Sequence, residues 1–489
     1  MITDNPHHAR RWTILAVLAI AQLMVVLDTT IVNIALPSAQ RALHFGASER
    51  QWIVTAYALA FGGLLLLGGR ISDLLGRKWT FIAGLAGFAT ASAVGGAAQS
   101  FGMLAGARAF QGAFGALLAP AALSLMTTTF TDPAERNKAF GIWGAIAGSG
   151  GAIGLLLGGV LTQTLSWRYS MFVNLVFATV AIAGALALLR NQAPAVKPKL
   201  DIPGVLSVSA GLFSLVYGFS HAETTSWSND ATLAFLIAGV LLLAVFAAVQ
   251  SRSRNPLLPL RIVTNRNRGA SFLSIGITGA AVFAVFLFLT YYLQEVRGYT
   301  PIETGVAFLP LSAAITISAI VATTKLRMRF GPRPLMIAGM LLAGGAMLYL
   351  TRLTIASSYA TGILPALIVL GIGIGFVFST SINSATLGVE PADSGVASAS
   401  VSASQQIGGS LGTALLSTIA ASALTSYIMS VHTHPTPLLL ARAAVRGDTI
   451  AFAWAAVFFA AGGVIAAGLF ERGTKALRID TTAAPATAH

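Results

Sequence analysis

Asp28 is a carboxylate deep inside an apolar run, Ile14–Leu36, where the chain reads Leu27-Asp28-Thr29-Thr30-Ile31-Val32-Asn33 and on to Pro37. Holding a carboxylate in hydrocarbon costs roughly 2.5–3.5 kcal/mol on insertion scales, so such an acid is either paired or lines a wet cavity and exchanges protons. Arg108 poses the same problem with the opposite sign, near the start of the apolar run 102–127. Gln111, Gly112 and Gly115 follow it at i+3, i+4 and i+7 and therefore share its helical face. An acid, a guanidinium and an amide in apolar surroundings can perform reversible protonation. Desolvation favours the neutral acid, and a nearby cation favours the carboxylate. Two readings stay open. Asp28 is a structural acid locked to Arg108 or to the Thr29 and Thr30 hydroxyls, or it titrates and something moves with its proton. Arg108 either reaches the membrane interface or faces a polar, glycine-lined cavity. Asn33, Tyr57 and Gln111 can line the same cavity, and Asn33 equally suits an interhelical hydrogen bond. Later in the chain, Tyr291, Gln294, Asn383, Gln405 and Gln406 are the polar groups able to face it, and no second deep acid is expected.

The elements that position these groups follow from composition. The 489 residues are 55% hydrophobic and 9% charged, far below the roughly 25% charge of soluble domains, so the chain belongs in a membrane. Cysteine is absent, which excludes disulfides and thiol chemistry. Fourteen runs are long enough to span, near 13–36, 51–69, 79–98, 102–127, 138–161, 170–189, 203–221, 232–250, 269–293, 302–324, 334–351, 361–384, 396–424 and 448–470. The run 396–424 is the most polar and spans only if its Ser and Gln side faces protein or water. With the N-terminus inside, 22 of the 30 Lys and Arg fall in inside segments, 7 fall in outside loops, and Arg108 lies in a span. That asymmetry places both termini in the cytoplasm of a cell inner membrane. It also explains the net charge of +14 as topology rather than nucleic-acid binding. The expected fold is an all-α integral membrane protein with 14 transmembrane helices in two pseudo-symmetric six-helix bundles, 1–190 and 269–470. An inserted hairpin of two helices occupies 191–268, and 471–489 forms a cytoplasmic tail.

Several glycine-rich motifs accompany this plan. Gly69-Arg70-Ile71-Ser72-Asp73-Leu74-Leu75-Gly76-Arg77-Lys78 joins the second and third runs; its glycines permit a tight turn and Asp73 can pair with the surrounding cations. Gly150, Gly154 and Gly158 recur at i, i+4 and i+8, a face that lets another helix approach closely; Gly159 follows directly. The set resembles the major facilitator superfamily, and within it the 14-span drug:proton antiporters (multidrug exporters). The Gly69–Lys78 loop is similar to that superfamily's signature loop, and Leu27–Pro37 to the first-span motif of the 14-span group. The Arg108–Gly115 face, the Gly141–Gly159 glycines and Trp167-Arg168-x3-Phe172-x-Asn174 resemble the motifs of the fourth, fifth and sixth spans. Tyr291–Gln294 with Gly298, Tyr299, Gly305 and Pro310 is similar to the second half. Two positions depart: Leu155 and Val176 stand where the family has proline, and the first leaves antiport itself open.

The resemblance implies an exporter of amphiphilic, lipophilic or cationic compounds, driven by a proton gradient and by no other cofactor, working by alternating access. Asp28 and Arg108 would couple protons. The Gly69–Lys78 loop and the Gly150 face would set end states and pivot between the halves. A flippase or exporter of an endogenous lipid or metabolite on the same fold is the other reading. Expected partners are the small substrate, protons and membrane lipids, with a monomeric chain and no nucleic acid. No Ser/His/Asp frame or phosphate-binding loop is present, so neither an enzyme nor an ATP-driven pump is expected, and His432-x-His434 lacks a third metal ligand.

Overall fold

The computed structural model describes residues 10–130, 132–190, 201–253, 256–389, 394–431 and 436–471. The linker 191–200, most of the tail expected at 471–489, and His432 and His434 lie outside the described residues. Seventeen α-helices follow in order: α1 Arg11–Leu43, α2 Ala47–Leu75, α3 Arg77–Gly96, α4 Phe101–Thr129, α5 Pro133–Thr164, α6 Tyr169–Leu188, α7 Ile202–Thr224, α8 Asp230–Arg252, α9 Leu260–Thr264, α10 Arg266–Tyr291, α11 Pro301–Ala307, α12 Leu309–Val321, α13 Arg327–Phe330, α14 Pro332–Leu350, α15 Leu364–Thr386, α16 Ser394–Val431 and α17 Pro437–Leu469. Short π-helical turns at Tyr292–Val296, Ala322–Leu326 and Tyr359–Ile363 extend α10, link α12 to α13 and open α15.

Among the described residues, twelve helical stretches are long and apolar enough to cross a membrane. In α2 and α5 the apolar stretches are shorter, Trp52–Leu65 and Ile153–Thr164, although these helices run for 29 and 32 residues. At 1.5 Å per residue both exceed the roughly 30 Å hydrocarbon thickness.

We call the end of the bundle at which α1 begins proximal, and the other end distal. Arg266 and Arg333, at the starts of α10 and α14, donate to the carbonyls of Gly468 and Ala467 at the end of α17. Arg11 pairs with Glu135 at 2.7 Å, and Lys78 donates to the Leu189 carbonyl at 2.6 Å. These contacts tie proximal ends together. At the distal end Arg168 donates to the carbonyls of Gly96 and Ala98, closing α6 onto α3.

Small residues set the spacing, because helices in a bilayer gain from close packing and not from hiding apolar surface. A Cβ on Gly408 of α16 would lie 2.0 Å from the Gly276 carbonyl of α10, and one on Gly412 would lie 2.1 Å from Ala280. The polar-looking run 396–424 therefore spans by laying its glycine face on α10. Gly76, at φ 89°, makes the break between α2 and α3, a backbone conformation that side chains disfavour.

One apolar cluster fills the bundle α1–α6, and another fills α10–α17. Ile34 and Leu155, from the first bundle, belong to the second cluster. The α7–α8 pair interlocks through Gly211, Gly218 and Gly239 against Leu243, Leu236 and Leu215. It lies on α2 and α16 together: Ser209 donates to the Gly63 carbonyl at 2.9 Å, and Thr418 donates to the Phe219 carbonyl at 3.0 Å. Asp201 caps α7 through Gly204 and accepts from Gln250 at 2.7 Å; Gln250 in turn accepts from the Leu258 backbone. α8 presents Leu233, Ile237, Val240, Leu241 and Val245 outward, as a peripheral, lipid-facing helix would.

Candidate proton and substrate site

Five helices of the first bundle bring one polar cluster together. Asp28 of α1 is fully buried. Its Oδ2 lies 2.5 Å from Nη1 of Arg108 on α4. Its Oδ1 accepts from Gln111 Nε2 at 3.0 Å and from Asn174 Nδ2 on α6 at 2.8 Å. Ser92 of α3 lies beneath both amides, its Oγ 2.5 Å from Gln111 Nε2 and 3.2 Å from Asn174 Nδ2. α2 supplies the rest: Arg108 Nε donates to the Ile53 carbonyl at 3.2 Å, and the guanidinium lies 4.3 Å from the centroid of the Tyr57 ring. Nη1 also donates to Gln111 Oε1 at 2.8 Å. Both charges are thus desolvated together, and each is hydrogen-bonded, which a buried ion pair requires.

In this conformation the pair is closed. Of the two readings of Asp28, the locked one describes this state, and Arg108 does not snorkel to an interface: it is 1% exposed. Its glycine face is not a cavity wall either. A Cβ on Gly112 would lie 2.3 Å from the Tyr57 carbonyl, and one on Gly115 would lie 2.8 Å from the Phe61 ring. Those glycines exist so that α4 can press against α2, which brings Arg108 within reach of Ile53 and Tyr57.

The other expected cavity residues do not join the cluster. Asn33 donates to Thr29 and Asn383 to Ser379, each four residues back on its own helix. The buried Tyr57 hydroxyl and the Oδ1 atoms of Asn33 and Asn174 have no hydrogen-bond partner. Tyr291 and Gln294 lie instead at a distal contact between the bundles. Tyr291 donates to Gln40 Oε1 at 3.0 Å, and Gln294 donates to the Ile34 carbonyl at 3.4 Å. The Arg50 guanidinium sits 3.8 Å from the Tyr291 ring centroid, Arg41 lies 3.7 Å from Glu295, and the Ile302 backbone donates to Gln163 at 3.4 Å.

The α5 glycines correct one expectation. The face formed by Gly150, Gly154 and Gly158 meets Val26, Leu27, Thr30 and Ile31 of α1, inside the first bundle, and is no pivot between halves. The neighbouring face makes that contact: Gly159 meets Pro301 and Ile302, and Leu155 meets Gly305 of α11. In the Gly69–Lys78 loop, Gly69 faces Pro120, Arg70 donates to the Pro256 carbonyl, Gly76 turns the chain, and Arg77 and Lys78 open α3, with Lys78 tied to α6. The side chain of Asp73 lies outside the described residues.

Four residues of interest lie outside the set that the sequence pattern marks. Asn174 stood only in a motif, Ser92 carried no signal, Arg50 looked like a loop cation, and Asp448 sat at the edge of an apolar run. Asp448 is in fact the twelfth residue of α17, half-buried, so the second bundle does hold an acid within a helix. An apolar groove of about 500 Å³ also lies between α12 and α15, lined by Pro310, Ile317, Ser318, Val321, Ile372 and Phe376 among others.

Residues 18–413 match the Major Facilitator Superfamily. The chain belongs to that superfamily. It is a membrane transporter and not an enzyme, and its relatives include exporters and resistance proteins. It is 45% identical over 469 residues to the puromycin resistance protein pur8 of Streptomyces alboniger, covering 96% of this chain and 93% of that one. It is 34% identical to the lincomycin resistance protein of Streptomyces lincolnensis, covering 83% of each chain. With the multidrug efflux pump LfrA of Mycolicibacterium smegmatis it shares 32% identity, over 84% of this chain and 81% of that one. A bacterial homolog of the human lysosomal transporter Spinster has the same fold, with a TM-score of 0.63 at 18% identity over 93% of this chain and 96% of that one.

Proposed function

We propose that this efflux transporter is a 14-span, proton-coupled exporter of amphiphilic, lipophilic or cationic compounds, with Asp28 as the proton-coupling acid. α2 and α5 complete the fourteen spans. Both termini are cytoplasmic in a cell inner membrane, so the proximal end faces the cytoplasm, and the chain acts as a monomer. The bundles 1–190 and 269–470 are the two rocking halves, with 191–268 inserted between them and 471–489 as a tail.

The observation that carries this reading is the sealed Asp28–Arg108 pair. In a structure whose bundles touch at the distal end, the acid is closed off and ionically paired. A proton reaches it only when the bundles rearrange. Protonation then removes the attraction to Arg108, while Arg108 keeps the Ile53 carbonyl, Gln111 and the Tyr57 face. The pair thereby links proton occupancy to the packing of α1 against α4, and the α5 glycines carry a shift of α1 to the contact with α11. Gly69, Gly76, Arg77, Lys78 and Asp73 bias the proximal end between its two states. Asn33, Tyr57, Tyr291, Gln294 and Asn383 face the substrate path in the open states.

The relative named for puromycin resistance makes puromycin the first compound to assay. Protein in proteoliposomes with an imposed pH gradient accumulates the compound in the direction opposite to proton flow, and Asp28→Asn abolishes that accumulation. Transport indifferent to the gradient, or a fully active Asp28→Asn variant, overturns the proposal. The apolar groove between α12 and α15 is the feature that would suit a lipid-like substrate instead, and competition by lipids in the same assay separates the two.

A further inference from the structure

The distal contact holds a second acid that the Asp28 site does not use. α10 and α17 run antiparallel, and Phe288 meets Phe452 edge to face with ring centroids 6.3 Å apart. One turn further toward the distal end, Tyr292 opens the π-helical turn that extends α10 and Asp448 stands at i−4 on α17, which brings the two near each other. Tyr292 is fixed by donating to the Thr354 carbonyl at 2.7 Å. Asp448 acts electrostatically on Tyr292, and the charge that reaches Asp448 is Arg50.

Arg50 belongs to the other half. It stands in the first turn of α2, and its guanidinium rests on the Tyr291 ring of the second bundle. The ion pairs among the described residues are Arg11–Glu135, Arg41–Glu295 and Arg108–Asp28, so no described carboxylate lies within 4.0 Å of Arg50. What draws it to the second bundle is a ring face and the more distant charge of Asp448. The surroundings add little of the same kind. Glu295 is offset by Arg41, and Arg297 acts on Tyr292. α16 meets α17 here through the Ala420 carbonyl at Gly447.

We propose that Asp448 and Arg50 form a second acid–base couple that ties closure of the distal end to the protonation of Asp448, separately from Asp28. Ionised Asp448 holds Arg50 on the second bundle and favours closure. A proton arriving from the distal side neutralises Asp448, leaves Arg50 held by the Tyr291 ring alone, and lets the end part. In this scheme Asp448 acts first, as the acid that admits the proton, and Asp28 acts second, as the acid that carries it.

The chain has no cysteine, so spin labels can be placed at Leu165→Cys and Ala356→Cys, exposed distal positions on the two halves, without removing native thiols. Pulsed dipolar distances are recorded on the reconstituted full chain between about pH 5 and pH 10. The native background lengthens its distal distance as pH falls, and the Asp28→Asn background still does so. Asp448→Asn loses the response and stays at the long distance throughout, while Asp448→Glu restores it. Arg50→Gln, which probes the couple from the other half, also loses it. An Asp448→Asn or Arg50→Gln variant that responds like the native chain overturns the proposal. So does a native chain with no response, or a response that Asp28→Asn alone removes. A failed transport assay with this response intact would count against the Asp28 reading and not against this one.

Discussion

Replacing Gly305 by alanine tests which α5 face joins the halves. A Cβ there would lie 2.6 Å from the Leu155 carbonyl oxygen and 3.0 Å from its carbon, against an ordinary contact of at least 3.4 Å. The obstructing atoms are backbone, so α11 must withdraw from α5 by about 0.8 Å, and overpacking of this kind costs about 1–3 kcal/mol. Because α11 and α5 belong to different halves, the penalty falls on the distally closed state alone. A differential of that size shifts the population toward the distally open state by about 5- to 150-fold. Gly159→Ala, on the facing helix and 2.7 Å from the Pro301 carbonyl, gives a shift of the same sign. Gly154→Ala behaves differently. Its Cβ would lie 2.1 Å from Thr30 Oγ1 and 3.1 Å from the Leu27 carbonyl, within one half, so it lowers the stability of both states without favouring either. Gly102→Ala, with nothing within 4 Å, is the neutral control. Dipolar distances between labels at 165 and 356 report the population, and thermal unfolding in detergent reports stability. An unchanged population in Gly305→Ala, or an equal opening in Gly154→Ala, refutes the assignment of faces.

Two further substitutions examine the supports of the site and of the hairpin. Asn174→Leu removes one of the amide donors to Asp28 and is expected to destabilise the first bundle by about 1–3 kcal/mol, read as a lowered unfolding temperature. An unchanged temperature would show that the Asn174 hydrogen bond carries no net weight. Asp201→Ala removes the α7 cap, worth about 1 kcal/mol, and leaves the buried Gln250 amide without its carboxylate. Faster proteolysis of the 191–200 linker in Asp201→Ala than in the native chain checks this, and equal rates would discount the latch.

The charged centre was legible because charge in an apolar run is costly wherever the run folds. Asp28, Arg108 and Gln111 therefore announced themselves, and the structure brings them within hydrogen-bonding distance. Helical period also revealed the α5 and α4 glycine faces. What period cannot reveal is the partner: it gives a direction around one axis, not the helix that arrives there. So the Gly150 face was assigned to the other half, and the Gly112 face to a cavity, when both meet neighbours in the first bundle. Asn33 and Asn383 stand apart from the cluster for another reason, since asparagine in a helix readily bonds the carbonyl one turn back. Asp448 was missed because the apolar run begins there, whereas the helix begins at Pro437 under the Thr436 cap. The coarse plan of many apolar helices of membrane-spanning length was readable from composition and run length alone. The α7–α8 pair seats on α2 and α16 through apolar packing of Val208 and Leu212 and through single hydroxyls, Ser209 and Thr418, that no pattern marks.

Arg108 is held from four sides, and only one of its partners, Asp28, can change charge. The guanidinium is therefore a stationary positive charge at depth, and if Asp28 takes up a proton as proposed, the net charge of the pair would alternate between zero and one. A cationic cargo about 7 Å away would feel about 2.4 kcal/mol of repulsion in the protonated state at an effective dielectric of about 20, and close to none in the ionised state. That amounts to roughly a fiftyfold change in occupancy. Proton and cargo would then exclude one another through the field of a fixed arginine, with no need to compete for the same atoms, and a neutral cargo would pass without feeling the exchange at all.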